Sequence, residues 1–439
     1  MATASRVHLT PSLAPQLSYS VETITPESAE KTSRLLQLNH EQHHVYFNHE
    51  GFHNHIVHHL LTLFALGAPP SQLQKAYDIN APYQRPAEPI SPSIITSLHD
   101  PSSFRSHLGK EKHYHSFLVF FQQEIDAKGW EQVLQEYLFS GTEVAEDLLV
   151  RMYAGFLHPI IHLGFGVEFK QPAIVAEALA QGAVHDSWIG ELFVECERKV
   201  GDKKGKTGEK KSIMQILEEC RKDEKVRESA RFSDANKIRD GIMKRAKEEM
   251  VAYAAQYVVE EEDVERATAE MIDAAVYFAA AAQRPPQQVK FDFFFIHCVN
   301  SSIFFSAFLS PSSGLSPANQ RRLLQWKIWI DITMYVSRGS PELLRDEIEN
   351  YVPKHNGDMQ GVIERVRKIE DDGHACKLVR AILNAEKVSR DRGQVTGDMW
   401  RKVGHMAVDS VEAGEPMWVR SCGFEKAWEN VPLRDGARL

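Results

Sequence analysis

The sequence predicts an all-α protein, a large multi-helix single domain with a buried polar or metal centre. Apolar residues recur at helical spacing through most of the 439-residue chain. No turn flanked by alternating strands, no βαβ rhythm and no G-x-G-x-x-G fingerprint occurs. Eight of the 20 histidines fall between residues 40 and 59, inside an apolar stretch. Histidine is the commonest neutral metal ligand, so this cluster predicts a chemical centre.

Helical periodicity gives the elements in order. In the first half it predicts helices over residues 26–44, 53–66, 72–79, 111–127, 130–139, 142–156, 172–181 and 188–200. In the second half it predicts helices over residues 213–221, 234–258, 261–283, 291–309, 318–336, 342–351, 360–392 and 397–412. The run Gly67-Ala68-Pro69-Pro70 ends the second helix, and few polar residues mark any side of that helix, so we expect it to be buried all round.

Three segments define the domain organisation. Residues 1–26 are rich in Ser, Thr and Pro and predict an extended N-terminal arm. Residues 27–439 then form a single helical catalytic domain. Residues 201–212 are polar and glycine-bearing without periodicity, which predicts a mobile surface loop.

Composition excludes several classes of protein. The net charge of −9 argues against a nucleic-acid-binding protein, which usually shows a basic face. The absence of any apolar run of about 18 residues argues against a membrane span. Five scattered cysteines without C-x-x-C favour a reducing compartment, so we expect a cytoplasmic protein. The ending Ala437-Arg438-Leu439 varies the peroxisomal Ser-Lys-Leu address and makes peroxisomal import the alternative.

The first motif lies in the second predicted helix. His55 shares a helix face with His58 at spacing i,i+3 and with His59 at spacing i,i+4. Apolar residues flank all three, so helical phase leaves the choice among them open. Burying several histidines without partners would cost a few kcal/mol each, which favours a buried polar centre.

The second motif is His158-Pro159-Ile160-Ile161-His162, an H-x-x-x-H in an apolar run. Spacing i,i+4 places both imidazoles on one helix face, which suits a metal pair. Pro159 disfavours the α conformation at His158, so we expect a kink or a helix that begins there. The motif contains no Glu and is therefore distinct from the metalloprotease H-E-x-x-H.

Two further motifs lie in the second half. His297 sits in the most aromatic segment, where Phe293 and Phe295 would suit a flat aromatic ligand. His374 and Lys377 share a helix face three residues apart. A buried lysine has a lowered pKa, and its neutral amine can react with CO₂ to give a carbamate, an anionic oxygen ligand.

A site of imidazoles and one oxygen anion suits iron, manganese or zinc. The side-chain carboxylates weighed as that anion stand at no obvious ligand spacing: Glu50, Glu168, Asp292 and Asp372. A carboxylated Lys377 would instead compensate the charge of the metal.

Three stretches resemble the fungal questin oxidase-like family. They are His43-His44-Val45-Tyr46-Phe47-Asn48 with Gly51 to Ala68, His158-Pro159-Ile160-Ile161-His162-Leu163-Gly164, and Asp371-Asp372-Gly373-His374-Ala375-Cys376-Lys377-Leu378-Val379-Arg380. The resemblance implies oxidative ring opening of anthraquinones or related polycycles in polyketide pathways. It allows two chemistries: nonheme-iron dioxygenation with O₂, or metal-free Baeyer–Villiger-type oxygen insertion with NADPH.

For the iron type, the resemblance implies Fe(2+) held by several histidines and a lysine carboxylated by CO₂. The matching positions here, which are also the expected catalytic residues, are His58, His158, His162, His297 and Lys377. The expected substrate-binding residues are His55, Phe293, Phe295 and His374. The expected partners are a polycyclic aromatic substrate, bound as its hydroquinone, and a separate quinone reductase.

Two other functions are weighed against the oxygenase. The pairs His99-Asp100 and His185-Asp186 are of a kind used by helical metal-dependent hydrolases. Both pairs lie near predicted helix ends, where Asp is an ordinary residue. A non-catalytic helical scaffold with structural histidines is the remaining alternative.

Overall fold

We describe the fold from a computed structural model of the chain. It describes residues 1–202, 210–310, 313–389 and 392–434. Within these ranges the regular elements are helices, and the β-structure is limited to isolated bridges. The predicted all-α class is therefore confirmed. Most of the predicted loop over residues 201–212, and the ending Ala437-Arg438-Leu439, lie outside the described residues.

The helices are numbered in chain order. The first eleven are α1 Pro26–Gln42, α2 Ile56–Ala65, α3 Pro70–Asn80, α4 Pro92–Ser97, α5 Pro101–His107, α6 Tyr114–Lys128, α7 Trp130–Leu138, α8 Glu143–Met152, α9 Ala154–Glu168, α10 Pro172–Val184 and α11 Gly190–Gly201. The rest are α12 Ile213–Lys222, α13 Glu224–Arg227, α14 Met243–Arg245, α15 Lys247–Ala254, α16 Val264–Ala281, α17 Phe293–Phe308, α18 Pro317–Ser337, α19 Asp346–Glu349, α20 Met359–Val366, α21 His374–Ser389 and α22 Met399–Glu412. Short 3₁₀ or π turns cover Pro11–Gln16, Ala81–Tyr83, Glu111–His113, Lys237–Ile242, Glu261–Asp263 and Glu425–Trp428.

The chain forms two compact units, each built from several segments. Unit 1 contains residues Met1–Gly190, Phe304–Ser316 and Arg367–Arg380. Unit 2 contains residues Glu191–Ile303, Pro317–Val366 and Ala381–Leu439. The histidine-rich run, the H-x-x-x-H motif and the His374–Lys377 segment therefore all belong to unit 1, whereas His297 belongs to unit 2.

The N-terminal arm is tied to unit 1 by backbone hydrogen bonds. The Ser18 N–H donates to Glu168 at 2.7 Å, and the Val21 N–H donates to the Ala65 carbonyl at 2.9 Å. Residues Pro11–Gln16 form one 3₁₀ turn and much of the rest is extended. These contacts explain how a segment of low helical propensity is fixed against the helices.

Several predicted helices differ from the observed ones. The second begins at Ile56 rather than near residue 53, so His55 precedes its first turn. The predicted helix 234–258 is broken into a π turn and two short helices, and the predicted helix 342–351 is reduced to Asp346–Glu349. The predicted helix 360–392 is interrupted between Val366 and His374, and Gly373 just before His374 has φ +91°. Periodicity alone does not report a glycine in the left-handed region.

Helix α9 contains the break that Pro159 predicted. Gly155, Phe156 and Leu157 have positive φ values, so the regular turns begin at His158. Pro159 then occupies the first turn, where its missing N–H leaves no intrahelical hydrogen bond unmade. The kink keeps His158 and His162 on one continuous helical face.

Helices α2, α9 and α10 form the part of unit 1 that positions the site. All ten residues of α2 are buried, as its apolar surround predicted. A short connection makes α9 and α10 an antiparallel pair, with Glu168 as the last residue of α9 and Pro172 as the first of α10. Within the described ranges, no single helix is long and apolar enough to cross a membrane; the bent pair α8 and α9 meets that test only together.

Candidate metal centre

Two pairs of buried histidines join α2 to α9. His55 Nε2 lies 2.8 Å from His158 Nε2, and His58 Nε2 lies 3.2 Å from His162 Nδ1. The spacings i,i+3 at α2 and i,i+4 on α9 bring the four rings into two rungs, because both spacings advance about one helical turn. We call these four residues the histidine ladder, with His55 and His158 as its outer rung and His58 and His162 as its inner rung.

Hydrogen bonds fix the tautomers of the outer rung. The His55 Nδ1–H donates to Asp372 Oδ2 at 2.9 Å, and the His374 Nδ1–H donates to the other oxygen of the same carboxylate. The His158 Nδ1–H donates to the Gly155 carbonyl at 2.5 Å. Carboxylate and carbonyl oxygens only accept, so in each neutral ring Nε2 is the lone-pair atom.

The outer rung therefore sets two nitrogen lone pairs against each other across 2.8 Å. They repel unless a cation lies between or beside them. Burial, helped by the charge of Lys377, lowers the pKa of His55 to about 3, which disfavours a proton in that role. Two ligands about 2.1 Å from one metal lie ~3 Å apart, so this spacing fits a metal ion. One ligand nitrogen from each of His55, His158 and His374 lies within 4.8 Å of the others.

The inner rung is held by Glu177 of α10. The His162 Nε2–H donates to Glu177 Oε2 at 2.7 Å, and the His40 Nδ1–H donates to Oε1 at 2.5 Å. Burial opposes ionisation of the carboxyl, but these two hydrogen bonds outweigh it and lower the pKa of Glu177 to about 2. The ionised carboxylate keeps Nδ1 of His162 as the lone-pair atom. A carboxylate behind a histidine is the usual outer-shell partner of a metal ligand.

Lys377 is buried on the first turn of α21. Burial lowers the pKa of its amine, and the nearby carboxylates of Asp372 and Asp371 only partly oppose this shift. Its charge contributes, after burial and His162, to lowering the pKa of His58. The chain at Gly373, just before α21, lies close to His59 of α2. Glycine is needed there, because a Cβ would lie 2.7 Å from Cβ of His59. A buried amine that is easily neutral has the chemistry needed for carboxylation by CO₂.

Several other polar side-chain atoms around the ladder lack a partner. On α2 and α10, these buried atoms are His58 Nδ1, His59 Nδ1, Thr62 Oγ1 and both amide atoms of Gln181. Other such atoms in the described part of unit 1 lie outside these two helices, at His44, Gln72, Gln84, His115 and Arg367. Each such atom costs about 1–3 kcal/mol when it is left without a hydrogen bond. The atoms on α2 and α10 are therefore available to a bound metal, ligand or water.

Sequence reasoning missed Glu177 and two histidines beside the ladder. His53 stacks on His158 with ring centroids 3.8 Å apart, and its Nε2 lies 2.8 Å from His185 Nε2. Glu177 could have been noticed in the sequence, since it is the one charged residue of the mostly apolar helix α10. The pairing of His53 with His185 had none, because these residues are 132 positions apart.

The predicted residues of the aromatic segment lie in unit 2. His297 is buried, and its Nδ1–H donates to the Phe293 carbonyl at 2.6 Å, which leaves Nε2 as the lone-pair atom. Phe293 is half-buried with Arg420 over its ring at 4.1 Å. Phe295 packs in the core against Phe278, with ring centroids 4.9 Å apart.

Most of the carboxylates considered from the sequence have other roles. Glu50 is exposed, and Glu168 forms a buried ion pair with Arg380. Asp292 accepts backbone N–H groups at the start of α17 and from the Ser421 segment of unit 2. Among these four carboxylates, only Asp372 accepts a hydrogen bond from a ladder histidine, His55.

The two His-Asp pairs considered for a hydrolase do not act as pairs. Asp100 caps α5 by accepting the Ser103 N–H at 2.8 Å. The ring of His185 pairs with His53, while Asp186 is exposed. A second cluster of possible metal ligands contains His44, Glu88 and Glu111. Both of its carboxylates form ion pairs with Arg85.

Comparison with known proteins identifies the class and then the family. The profile of the family described as questin oxidase-like matches residues 52–382. A questin oxidase from Aspergillus fumigatus is 37% identical over 98% of this chain and 100% of its own length. A Baeyer–Villiger monooxygenase from Cryptosporiopsis sp. is 39% identical over 94% and 96% of the two chains. A Baeyer–Villiger oxidase from Pestalotiopsis fici is 38% identical over 92% and 94%. The chain is an oxidoreductase. It belongs to the questin oxidase-like family, as its motifs predicted.

Proposed function

We propose that the protein is a nonheme-iron oxygenase that opens the central ring of an anthraquinone-type hydroquinone with O₂. The observation that carries the metal is the histidine ladder, in which His55 Nε2 lies 2.8 Å from His158 Nε2 and His58 Nε2 lies 3.2 Å from His162 Nδ1. The substrate class is supported by the names of the relatives, questin oxidase and Baeyer–Villiger oxidase.

We propose His58, His158, His162 and carboxylated Lys377 as the ligands that unit 1 supplies. These ligands are preferred to the His55–His158–His374 set because Nδ1 of His58 has no partner among the described residues and because Glu177 supports His162 from behind. Glu177 is also buried, whereas the side chain of Asp372, which holds His55 and His374, is 33% exposed. His297 remains a proposed ligand on the family resemblance.

Bound iron(II) would supply the one-electron chemistry that allows O₂ to react with a closed-shell aromatic ring. Asp372 would fix the tautomer of His55 beside the ligand His158, and it would hold Nε2 of His374 as a hydrogen-bond acceptor for a phenolic group of the substrate. Glu177 would hold His162 in a single tautomer. The apolar surround of α2 would exclude water, which strengthens each of these interactions.

Elemental analysis combined with isotope labelling tests this proposal. We expect iron in the purified protein, loss of ring opening on chelation, and recovery with Fe(II) but not Zn(II). With ¹⁸O₂ and a chemically reduced dihydroxyanthraquinone, a dioxygenase places both labelled atoms in the opened product. Full activity in protein that contains no transition metal would overturn the iron assignment.

The second candidate is a metal-free Baeyer–Villiger-type monooxygenase acting on the same substrates. The names of relatives at 38–39% identity favour it. In that case the ladder would act by general acid–base catalysis and by hydrogen bonding to an oxyanion. Stoichiometric NADPH consumption that survives chelation, with one labelled oxygen per product, would establish this alternative.

A further inference from the structure

Gln181 is a buried amide that lacks hydrogen bonds. Its residue is 0% exposed, and neither Oε1 nor Nε2 has a partner among the described residues. It lies on α10, four residues after Glu177 and four before His185. An amide left in this state is destabilising, so a buried Gln181 is a candidate for a group that a bound ligand satisfies.

The register of the α9–α10 pair places Gln181 beside the histidine ladder. Near the turn, a Cβ on Gly166 would lie 2.8 Å from the backbone nitrogen of Val175. Further along, His162 contacts Glu177 at 2.7 Å. At the far end, a Cβ on Gly155 would lie 2.6 Å from the ring of His185.

Contacts of two residues show which side of α10 faces α9. Glu177 and His185 both direct their side chains to α9 or to rings that stack on it. Positions four apart on a helix share one face, so Gln181 lies on the same stripe. Interpolation of the antiparallel register sets it level with His158, at the outer rung of the ladder.

We propose that Gln181 binds the edge of the planar aromatic substrate where a phenolic hydroxyl lies beside an oxygen of the central ring. A carboxamide both donates and accepts, so it complements a hydroxyl beside a second oxygen and is only half satisfied by a carbonyl that has no hydroxyl beside it. The ligand class rests on the proposed function. A binding role and a structural role for Gln181 predict opposite changes in stability. Removal of an unsatisfied amide should stabilise the protein, whereas removal of a structural amide should destabilise it.

Gln181→Met keeps the length of the side chain and removes its hydrogen-bonding atoms. Gln171→Met is the matched control, because Gln171 is buried in the same unit but donates to the carbonyls of Phe169 and His8. We expect Gln181→Met to raise Tm by ~2 °C and Gln171→Met to lower it, each measured without added ligand.

Binding of two probes completes the test: 1,8-dihydroxyanthraquinone and unsubstituted anthraquinone, titrated by fluorescence into metal-free protein. We expect the wild type and Gln171→Met to prefer the hydroxylated probe by ~10-fold, and Gln181→Met to reduce that preference to less than ~2-fold. A preference that survives Gln181→Met, or a fall in its Tm, overturns the role of Gln181 while leaving the proposed function intact. Failure of the wild type to bind either probe overturns the proposed substrate class and this inference with it.

Discussion

His162 donates its Nε2–H to Oε2 of Glu177 across 2.7 Å, and both side chains are buried. This hydrogen bond links the H-x-x-x-H motif to a carboxylate on the next helix. It also decides which nitrogen of His162 keeps its lone pair, because an ionised carboxylate can only accept. A hydrogen-bonded chain then continues from Glu177 to His40.

Glu177→Gln should lower metal affinity by ~10–100-fold, because the amide can turn an N–H toward His162 and stabilise the wrong tautomer. Titration with Co(II), followed by its visible absorption, measures the affinity. Glu124→Gln is the control, since Glu124 is a buried carboxylate of α6 paired with Lys128 and Tyr137. Equal Co(II) affinity in the wild type and Glu177→Gln would contradict the supporting role.

Alanine at three histidines distinguishes the two possible metal positions. His158→Ala should reduce bound iron at least ~10-fold whichever rung holds the metal, because His158 belongs to both ligand sets. His162→Ala should do the same, whereas His374→Ala should retain iron and weaken substrate binding. Metal content per chain, by elemental analysis, checks this. Loss of iron in His374→Ala with retention in His162→Ala would move the metal to the outer rung.

Lys377→Met should abolish ring opening while leaving the free energy of unfolding unchanged or raised, because it removes a buried amine whose pKa burial lowers. Lys327→Met is a contrasting control: Lys327 forms a buried ion pair with Asp331. Breaking that pair should cost ~3–5 kcal/mol. Urea unfolding measures both variants, and the removal and return of bicarbonate should reversibly alter activity only where Lys377 is present.

Asp273 of unit 2 should make stability depend on pH. Burial raises the pKa of this carboxyl to about 6, against the opposing backbone N–H groups of Gln394 and Val395. The folded state therefore binds more protons than the unfolded state between about pH 4 and 6, and stability falls as pH rises through that window.

The size of this effect is on the order of 3 kcal/mol from the raised pKa alone. Asp273→Asn should flatten the profile of the urea midpoint between about pH 4 and 6. A variant that keeps the wild-type slope would show that Asp273 does not cause the pH dependence.

Periodicity predicted the helices well where a single element is buried or amphipathic. The prediction of α2 as a helix buried all round is confirmed, because its ten residues carry few polar groups. It failed between Val366, where α20 ends, and His374, where α21 begins. Gly373, with φ +91°, lies against His59, a residue more than 300 positions away, and the local pattern does not contain that contact.

The sequence by itself determined that the chain is helical, that His158 and His162 share a face after a proline break, and that His374 and Lys377 lie one turn apart. Fixed helical geometry makes these relationships local. Only the tertiary structure decided that His55 faces His158, that Asp372 holds His55 and His374 together, and that Glu177 supports His162. Contacts between helices depend on register and packing, and the tautomer of each ring depends on an acceptor that is distant in sequence.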